Sequence, residues 1–371
     1  MFFALAMSNQ KLNILFLTYQ GGLAGSTFSI SFLAKGLADK GHKVFIGIRE
    51  EMPIWDLADY PGIERIPMRI KGKFDFKNWC EIKEVVLEHK IQIINPQSSH
   101  DRYTSIFANL FFGLNTKIVH TRRQMPLSMG GVLQNWLYNN KTAGIVAVSN
   151  PVKAALVKLG IRSSHVKVIA NGTPKEKYDH IDQAFVEQLE KKYNIKKGDF
   201  VIGCVSRLKE QEQILKALKL IDQPVKMIFA GISSEERFER VIKDISVKHE
   251  VFFEGDIDPK QVLNYYKLFN VHILASTMEG LSQSLLEAMA MGTPVIATAY
   301  AGNLDLIEDG VNGLFFEDGN INELSQKIEQ LRDNKAIRDR LIEAGQRTAF
   351  DTFSIEKTIS NYEAYFLSLL D

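Results

Sequence analysis

VHILASTMEGLSQSLLEAMAMGTPVIAT (271–298) is the stretch that decides how this chain is read. VHILAS and PVIAT are uninterrupted apolar runs of strand length. Between them, Ser282 is a good N-cap for a helix to Met291, with Gly292 placed to end it and Pro294 just beyond. Continuous apolar strands joined through a helix belong to a parallel sheet covered on both faces. Glu279 then falls in the loop at a strand's carboxyl end, and Glu287 within the helix. Two such acids are ordinarily solvated surface charge. The alternative is one wall of a ligand site, because the amides of Leu281 to Ser284 point out of a helix N-terminus and favour an anion.

The same alternation extends in both directions. LNILFLTY (12–19) reads as a buried strand, STFSISFLAKGLADKG as a helix closed by Gly41, and HKVFIGI as the next strand. Helices over 78–90, 103–112, 130–141 and 150–159 alternate with the strands IQIINP, TKIVHT, AGIVAVS and VKVIAN. A polar, charged stretch (171–199) interrupts the series and reads as a linker. The pattern then restarts with FVIGCVSR, VKMIFAG, VFFEG, VHILAS and PVIAT between helices over 210–220, 234–247, 259–268 and 282–291. Helices over 321–332 and 335–346 follow. The expectation is α/β: two doubly wound parallel-sheet domains, 1–175 and 176–371. Ligands of open α/β sheets sit beyond the carboxyl ends of the strands, so the expected site is the cleft that two such domains face.

At 371 residues, with 45% apolar and 24% charged residues, the chain has the make-up of a two-domain globular protein. Its two cysteines, Cys80 and Cys204, lie far apart and make no metal-ligand spacing, which suits a reducing compartment. The apolar opening MFFALAM and the run FANLFFGL (107–114) are too short to span a bilayer, so a cytoplasmic protein is expected. The net charge of +1 hides an asymmetry. Residues 1–175 carry 22 Lys and Arg against 11 Asp and Glu, and residues 176–371 carry 23 against 33. Either the basic half meets an anionic surface, such as a membrane or a phosphorylated acceptor, or the charge is dispersed and solubilising.

Two loops stand out beside the opening stretch. TYQGGLAGST (18–27) runs from a strand through Gly21 and Gly22 into a helix, a place where backbone can approach a phosphate or sugar. Its glycine spacing is neither the dinucleotide fingerprint nor a P-loop. In VIGCVSRLKEQE (201–212), Arg207 and Lys209 follow a buried strand directly. Cations there suit a departing diphosphate, or else a solvated loop.

The Glu279-Gly280 pair, Glu287 and the run AMAMGTPVIA together resemble the signature of retaining, nucleotide-sugar-dependent glycosyltransferases of the GT-B fold, of the group 1 or family 4 type. The resemblance runs along most of the chain: IVHT (118–121), IVAVS (145–149), VIANG (168–172), SRL (206–208) and AGNLDLIEDGVNGLFFEDGN (301–320) fall in the family's order. HTRRQMPL, NWLY and NPQSSHD look most like branches that build lipopolysaccharide or other surface glycans. The resemblance implies two Rossmann-like domains, the first for the acceptor and the second for the nucleotide sugar, with the last helix (354–369) returning to the first. It implies catalysis by Glu279, His120, Arg207 and Lys209. Glu279 would lie at the donor sugar with the amides of Gly280, Leu281 and Ser282. Those of Gln283 and Ser284 would hold the diphosphate, and Glu287 the ribose. Arg207 would bind the leaving diphosphate, His120 would face the sugar from a strand end, and Gly21, Gly22 and the backbone at Ile257 would complete the donor contacts. No cofactor is implied beyond the nucleoside diphosphate sugar as co-substrate, and no metal. The acceptor is a glycan or lipid-linked molecule. Nucleic acid is not an expected partner; attachment to the inner membrane face is one of the readings that the charge asymmetry leaves open.

This chain also departs from the family's pattern. The family's Lys five residues after the Arg, and the Gly after it, are here Glu212 and Gln213. Either Lys209 supplies the second cation or the diphosphate site is weakened, which would leave a weakly active or non-catalytic sugar- or lipid-binding relative. Glu212 is expected to point away from the site, since a carboxylate repels a diphosphate. Asp305 stands where a Glu is usual. Asp256-Ile-Asp258 matches a metal triplet but lies in the loop that the resemblance gives to the base. Ser98, Ser99, His100 and Asp101 form a polar strand-end cluster suited to an acceptor, as do Arg122 and Arg123 if they are not simply solvated.

Overall fold

The computed structural model describes residues 10–19, 21–22, 25–126, 130–245 and 247–371. The opening MFFALAM lies outside them. The chain divides into two compact units. The first comprises 1–148, 153–171 and 355–371, and the second comprises 149–152 and 172–354. The division thus falls at 171/172, four residues before the 175/176 boundary read from the sequence.

The first unit holds seven parallel strands: β1 (Asn13–Leu17), β2 (Lys43–Ile48), β3 (Ile63–Pro67), β4 (Ile93–Pro96), β5 (Lys117–Arg122), β6 (Gly144–Ala147) and β7 (Val166–Val168). Their order is β3-β2-β1-β4-β5-β6-β7. The second unit holds β8 (Val201–Val205), β9 (Lys226–Ala230), β10 (Glu250–Phe253), β11 (Val271–Leu274), β12 (Val295–Thr298) and β13 (Leu314–Phe316), in the order β10-β9-β8-β11-β12-β13. All pairings are parallel. In each unit the strand order reverses beside the first strand, at β1/β4 and at β8/β11. Ligands of doubly wound sheets collect at this switch point.

The central strands are buried on both faces, which is why they read as unbroken Val/Ile/Leu runs. The final helix, Ile355–Leu367, packs on the helix Gly25–Asp39 of the first unit. Glu363 accepts from Lys40 Nζ (2.5 Å) and pairs with His42 Nε2 (2.9 Å). Tyr362 Oη and Thr121 Oγ1 lie 3.1 Å apart in the core.

Two segments differ from the sequence reading. All of the 171–199 stretch from residue 172 onward is folded into the second unit, and it contains the helix Gln183–Lys192. Its Val186 and Leu189 are buried, Asp182 accepts from Phe185 N, and Asn264 Oδ1 accepts from Asp182 N at 3.0 Å. The edge strand IERIP (β3) was not distinguished from loop, because half its side chains face solvent.

Candidate functional site

In the second unit the switch point is bounded by the loops after β8 and β11, and one ion pair joins them. Lys209 Nζ lies 3.3 Å from Glu279 Oε1, with both side chains only partly exposed. Glu279 is further fixed by its own loop, where Ser276 Oγ donates to Oε1 at 3.0 Å. Ser276 is fully buried, and its backbone is locked to Thr298 of β12 in both directions. Across the same gap, Thr277 Oγ1 donates to Glu210 Oε1 at 3.1 Å, and Glu210 N donates to Ala275 O. The β8 loop is shaped by Gln211, which donates to Ser206 Oγ and Arg207 O and accepts from Lys209 N. Arg207 itself is exposed and forms no ion pair among the described residues.

Beyond Glu279 the chain enters the helix Gln283–Ala290. Ser282, extended at φ −73° and ψ 113°, caps it by accepting from Leu285 N at 3.3 Å. Gly280 is buried beneath Gly302. A β-carbon on Gly302 would sit 1.9 Å from Gly280 O, so only glycine permits this approach. Gly302 N in turn donates to Glu279 O at 3.0 Å. The loop carrying Glu279, Gly280, Leu281 and Ser282 is therefore held from below, while Gln283 and Ser284 open the helix.

Glu287, one turn on, is gripped at both oxygens. Lys177 Nζ donates to Oε1 at 2.5 Å and Tyr266 Oη donates to Oε2 at 3.2 Å. Burial, reinforced by the Glu287 charge, pushes the Tyr266 phenol well above its usual range, so it stays a donor. Neither Lys177, 110 residues away, nor Tyr266 was picked out from sequence. No local spacing connects them to the glutamate.

At the departure from the family's pattern, Glu212 and Gln213 each have partners of their own. Glu212 opens the helix Glu212–Leu218 and pairs with Lys216 at 2.7 Å, one turn along the same helix. That hydrogen bond lowers its carboxyl below the usual range. Gln213 bridges to Asp318 Oδ1 and Gly319 N, tying the helix to a neighbouring loop. Asp305 accepts from Asn150 N and Nδ2, all within the second unit. In the loop after β10, Ile257 is half-buried, and Asp258 accepts from Lys260 N to start a turn.

In the first unit the switch point carries the loops after β1 and β4. Gly21 is packed tightly: a β-carbon there would meet Met52, Ile48 and Ile54 within 2.9 Å. Gly22 faces open space. Ser98 and Asp101 form a reciprocal capping box on the helix Ser99–Phe112, and Asp101 Oδ1 also accepts from Tyr19 N at 2.8 Å. These two expected acceptor contacts are thus engaged internally, the carboxylate being needed to satisfy buried amides. Ser99 lines a cavity of about 260 Å³ together with Arg102 and Arg122. Arg123 points elsewhere, donating to Gln97 Oε1, because neighbours on an extended strand end face opposite ways. A larger hollow of about 700 Å³ lies at the other end of this sheet, among Asn13, Lys43 and Ile63.

His120 requires a correction. It is not at the end of its strand: β5 continues to Arg122, and the imidazole is wholly buried. Its ring lies 4.7 Å from that of Tyr138, and neither ring nitrogen has a hydrogen-bond partner. Burial first, then the charges of Arg102 and Arg122, hold it neutral. In this structure the ring has no exposed surface and packs against Tyr138.

Among the described residues, no group of three or more His, Cys, Asp or Glu side chains could hold a metal ion. No described helix is long and apolar enough to cross a membrane.

Residues 24–177 match the family model "Glycosyltransferase Family 4", and residues 185–348 match "Glycosyl transferases group 1". A putative glycosyltransferase of Bacillus subtilis, EpsD, is 24% identical over 81% of this chain and 84% of its own length. Anabaena HepE, solved with UDP and glucose, shares the fold across 96% of this chain and 100% of its own, with a TM-score of 0.81 at 20% identity. The apo form of the lipopolysaccharide outer core galactosyltransferase WaaB has a TM-score of 0.68 at 15% identity, over 96% of this chain and 99% of its own. With the two family models in succession along the chain and the two-sheet architecture shared end to end, this chain belongs to the group 1/family 4 glycosyltransferases of the GT-B fold.

Proposed function

We propose that this glycosyltransferase moves a sugar from a nucleoside diphosphate sugar to a glycan or lipid-linked acceptor, with retention at the anomeric carbon, in the assembly of a surface polysaccharide or lipopolysaccharide. The observation that carries the reading is the Lys209–Glu279 pair at the β8/β11 switch point, next to the capped helix Gln283–Ala290. In this reading Glu279 meets the donor sugar with the Gly280, Leu281 and Ser282 backbone. The helix amides at Gln283 and Ser284, with Arg207 and Lys209, stabilise the departing diphosphate, and Glu287 accepts from the ribose hydroxyls. Negative charge develops on the leaving group, so fixed cations and helix amides lower the barrier most where they are already in place. The chemistry needs no metal, because these groups supply the counter-charge. Glu279 is not assigned as a covalent nucleophile, since one carboxylate alone does not make the paired arrangement of a glycosidase.

The first unit is assigned to the acceptor and to an anionic membrane face. Phe74, Phe76 and Phe111 are 75%, 49% and 63% exposed. They belong to an aromatic cluster with Trp79 and Phe107, flanked by Lys71, Lys77 and Lys83. Exposed rings beside lysines suit the interface of an anionic bilayer. The test is a panel of nucleoside diphosphate sugars, measured by calorimetry and by product release with acceptor present, on wild type and Glu279→Ala. If no nucleotide sugar binds or turns over, the transferase reading is rejected. Salt-sensitive sedimentation with anionic vesicles checks the membrane assignment.

A further inference from the structure

The first unit contains a cavity whose walls include three cations and no Asp or Glu. Lys73, Ser99, Arg102, Tyr103, Arg122 and Tyr138 line it together with the neutral amides of Gln134 and Asn135, beside an apolar wall that includes Leu156, Leu159 and Ile161. At about 260 Å³ it is far larger than the ~30 Å³ share of one water. None of the three cations makes an ion pair among the described residues. Arg102 is 5% exposed, and its guanidinium reaches only neutral partners: Nε donates to Ser98 O and Nη1 to Tyr138 Oη, both at 3.1 Å. Arg122 Nε is buried with no partner at all. Lys73 Nζ stands 4.9 Å over the Tyr103 ring. The carboxylates nearby in sequence are engaged with backbone: Asp101 accepts from the amides of Tyr19 and Ser98, and Asp75 from that of Lys77.

A buried guanidinium without a counter-ion carries a large desolvation cost, and two that repel one another carry more. Burial first, and then the charge of Arg102, pull Arg122 down to about 10. A core-forming sequence would place a carboxylate or an apolar residue here. The arrangement makes sense if the missing anion arrives with a ligand. Guanidinium forks match the oxygens of a phosphate in pairs, and a lysine adds a third point charge.

We propose that this cavity is a phosphate-binding subsite, so that the acceptor of this transferase carries a phosphate group, held by Arg102, Arg122 and Lys73 and flanked by the Tyr103 and Tyr138 rings. The inference rests on the transferase reading above only for the word acceptor; the phosphate site itself stands on the cavity. The phosphate can sit on a soluble ester or at the head of a lipid, and the chemistry is the same.

The experiment is calorimetry on the full chain at low ionic strength with sn-glycerol 3-phosphate, with glycerol and glucuronate as controls. It is paired with flotation on phosphatidylcholine vesicles containing phosphatidic acid. Glycerol 3-phosphate binds, glycerol does not, glucuronate binds at least tenfold more weakly, and Arg122→Gln and Lys73→Gln each weaken the phosphate ligand tenfold or more. Lys73 is partly exposed and can be replaced without disturbing the core, so its loss of binding is free of any folding defect. Capture by vesicles that is lost in Arg122→Gln assigns the lipid-borne phosphate; binding of the soluble ester alone assigns a soluble acceptor. If neither arm depends on Arg122 and Lys73, or if glucuronate binds as well as the phosphate, the proposal is overturned. UDP-glucose binding is measured on the same samples. If nucleotide binds without phosphate, the subsite fails and the transferase reading survives; if phosphate binds without any nucleotide, the reverse holds.

Discussion

Lys209 Nζ and Glu279 Oε1 lie 3.3 Å apart and join the loops that follow β8 and β11, the two strands flanking the switch point of the second sheet. The pair does two things at once. It fixes the Glu279 carboxylate, already tied to Ser276, and it holds a cation against that carboxylate. Glu212 is paired to Lys216, and in the proposed reaction Lys209 is the cation that assists Arg207. Lys209→Ala is expected to lower kcat by about tenfold to a hundredfold, about 1.4–2.7 kcal/mol of transition-state stabilisation. Lys209→Arg should restore part of it. Steady-state turnover of a nucleoside diphosphate sugar with both variants decides the matter, and unchanged turnover in Lys209→Ala would discard Lys209 as the substitute cation.

Glu287 is held differently, between Lys177 and Tyr266, and the proposed reaction gives it the ribose, not the bond that breaks. A group that binds donor and transition state alike changes KM and leaves kcat. Glu287→Gln should therefore raise the donor KM about tenfold, at nearly constant kcat. Lys177→Met should do the same by freeing the carboxylate to move. A fall in kcat with unaltered KM in both would place Glu287 at the chemistry instead of the ribose.

How far the sequence carried the reading is clearest from these residues. Both sheets were legible because their central strands, such as VIGCV and NILFL, are buried on both faces and read as unbroken apolar runs. The positions of Ser282 and Glu287 were legible because cap, Gly292 and Pro294 fix the helix locally, and that of Glu279 because it falls between this cap and the end of an apolar strand. Lys177 and Tyr266 were not, because their link to Glu287 exists only in three dimensions. The helix Gln183–Lys192 was hidden by its charge: its buried Val186 and Leu189 are separated by Glu187 and Gln188 and flanked by lysines. His120 was misplaced by its nearness to a strand end, a two-residue error that moves a side chain from a rim to a core.

Gly302 offers a test of the support beneath the Glu279 loop. A methyl group there meets the Gly280 carbonyl oxygen at 1.9 Å and the Leu281 nitrogen at 2.9 Å, and backbone cannot step aside as a side chain can. Gly302→Ala should cost roughly 1–3 kcal/mol of stability by overpacking. Its larger effect should be on turnover, since a displacement of about 1 Å in positioning groups can cost a hundredfold. Denaturant unfolding and kcat measured together check this. A variant with wild-type kcat would show that the loop tolerates the shift.

Asp101 gives the first unit a distinctive pH dependence. Burial raises its carboxyl from 3.8 to about 6, against the hydrogen bonds from Ser98 and Tyr19 that pull it down. Between those values the folded chain binds more protons at this site than the unfolded chain does, so stability falls as pH rises through the window. The cost is complete above about pH 6 and absent below pH 4. A shift of about two units corresponds to about 2–3 kcal/mol. In Asp101→Asn the site does not titrate, and the other carboxylates cancel in the difference between the two proteins. Wild type should therefore gain about 2–3 kcal/mol on Asp101→Asn between pH 7 and pH 4, read from denaturant unfolding at each pH. Carbon-13 NMR of the Asp101 carboxyl should show a midpoint near 6. A stability difference that is flat with pH, or a midpoint in the ordinary carboxylate range, would mean that the Tyr19 and Ser98 amides outweigh burial at this carboxyl.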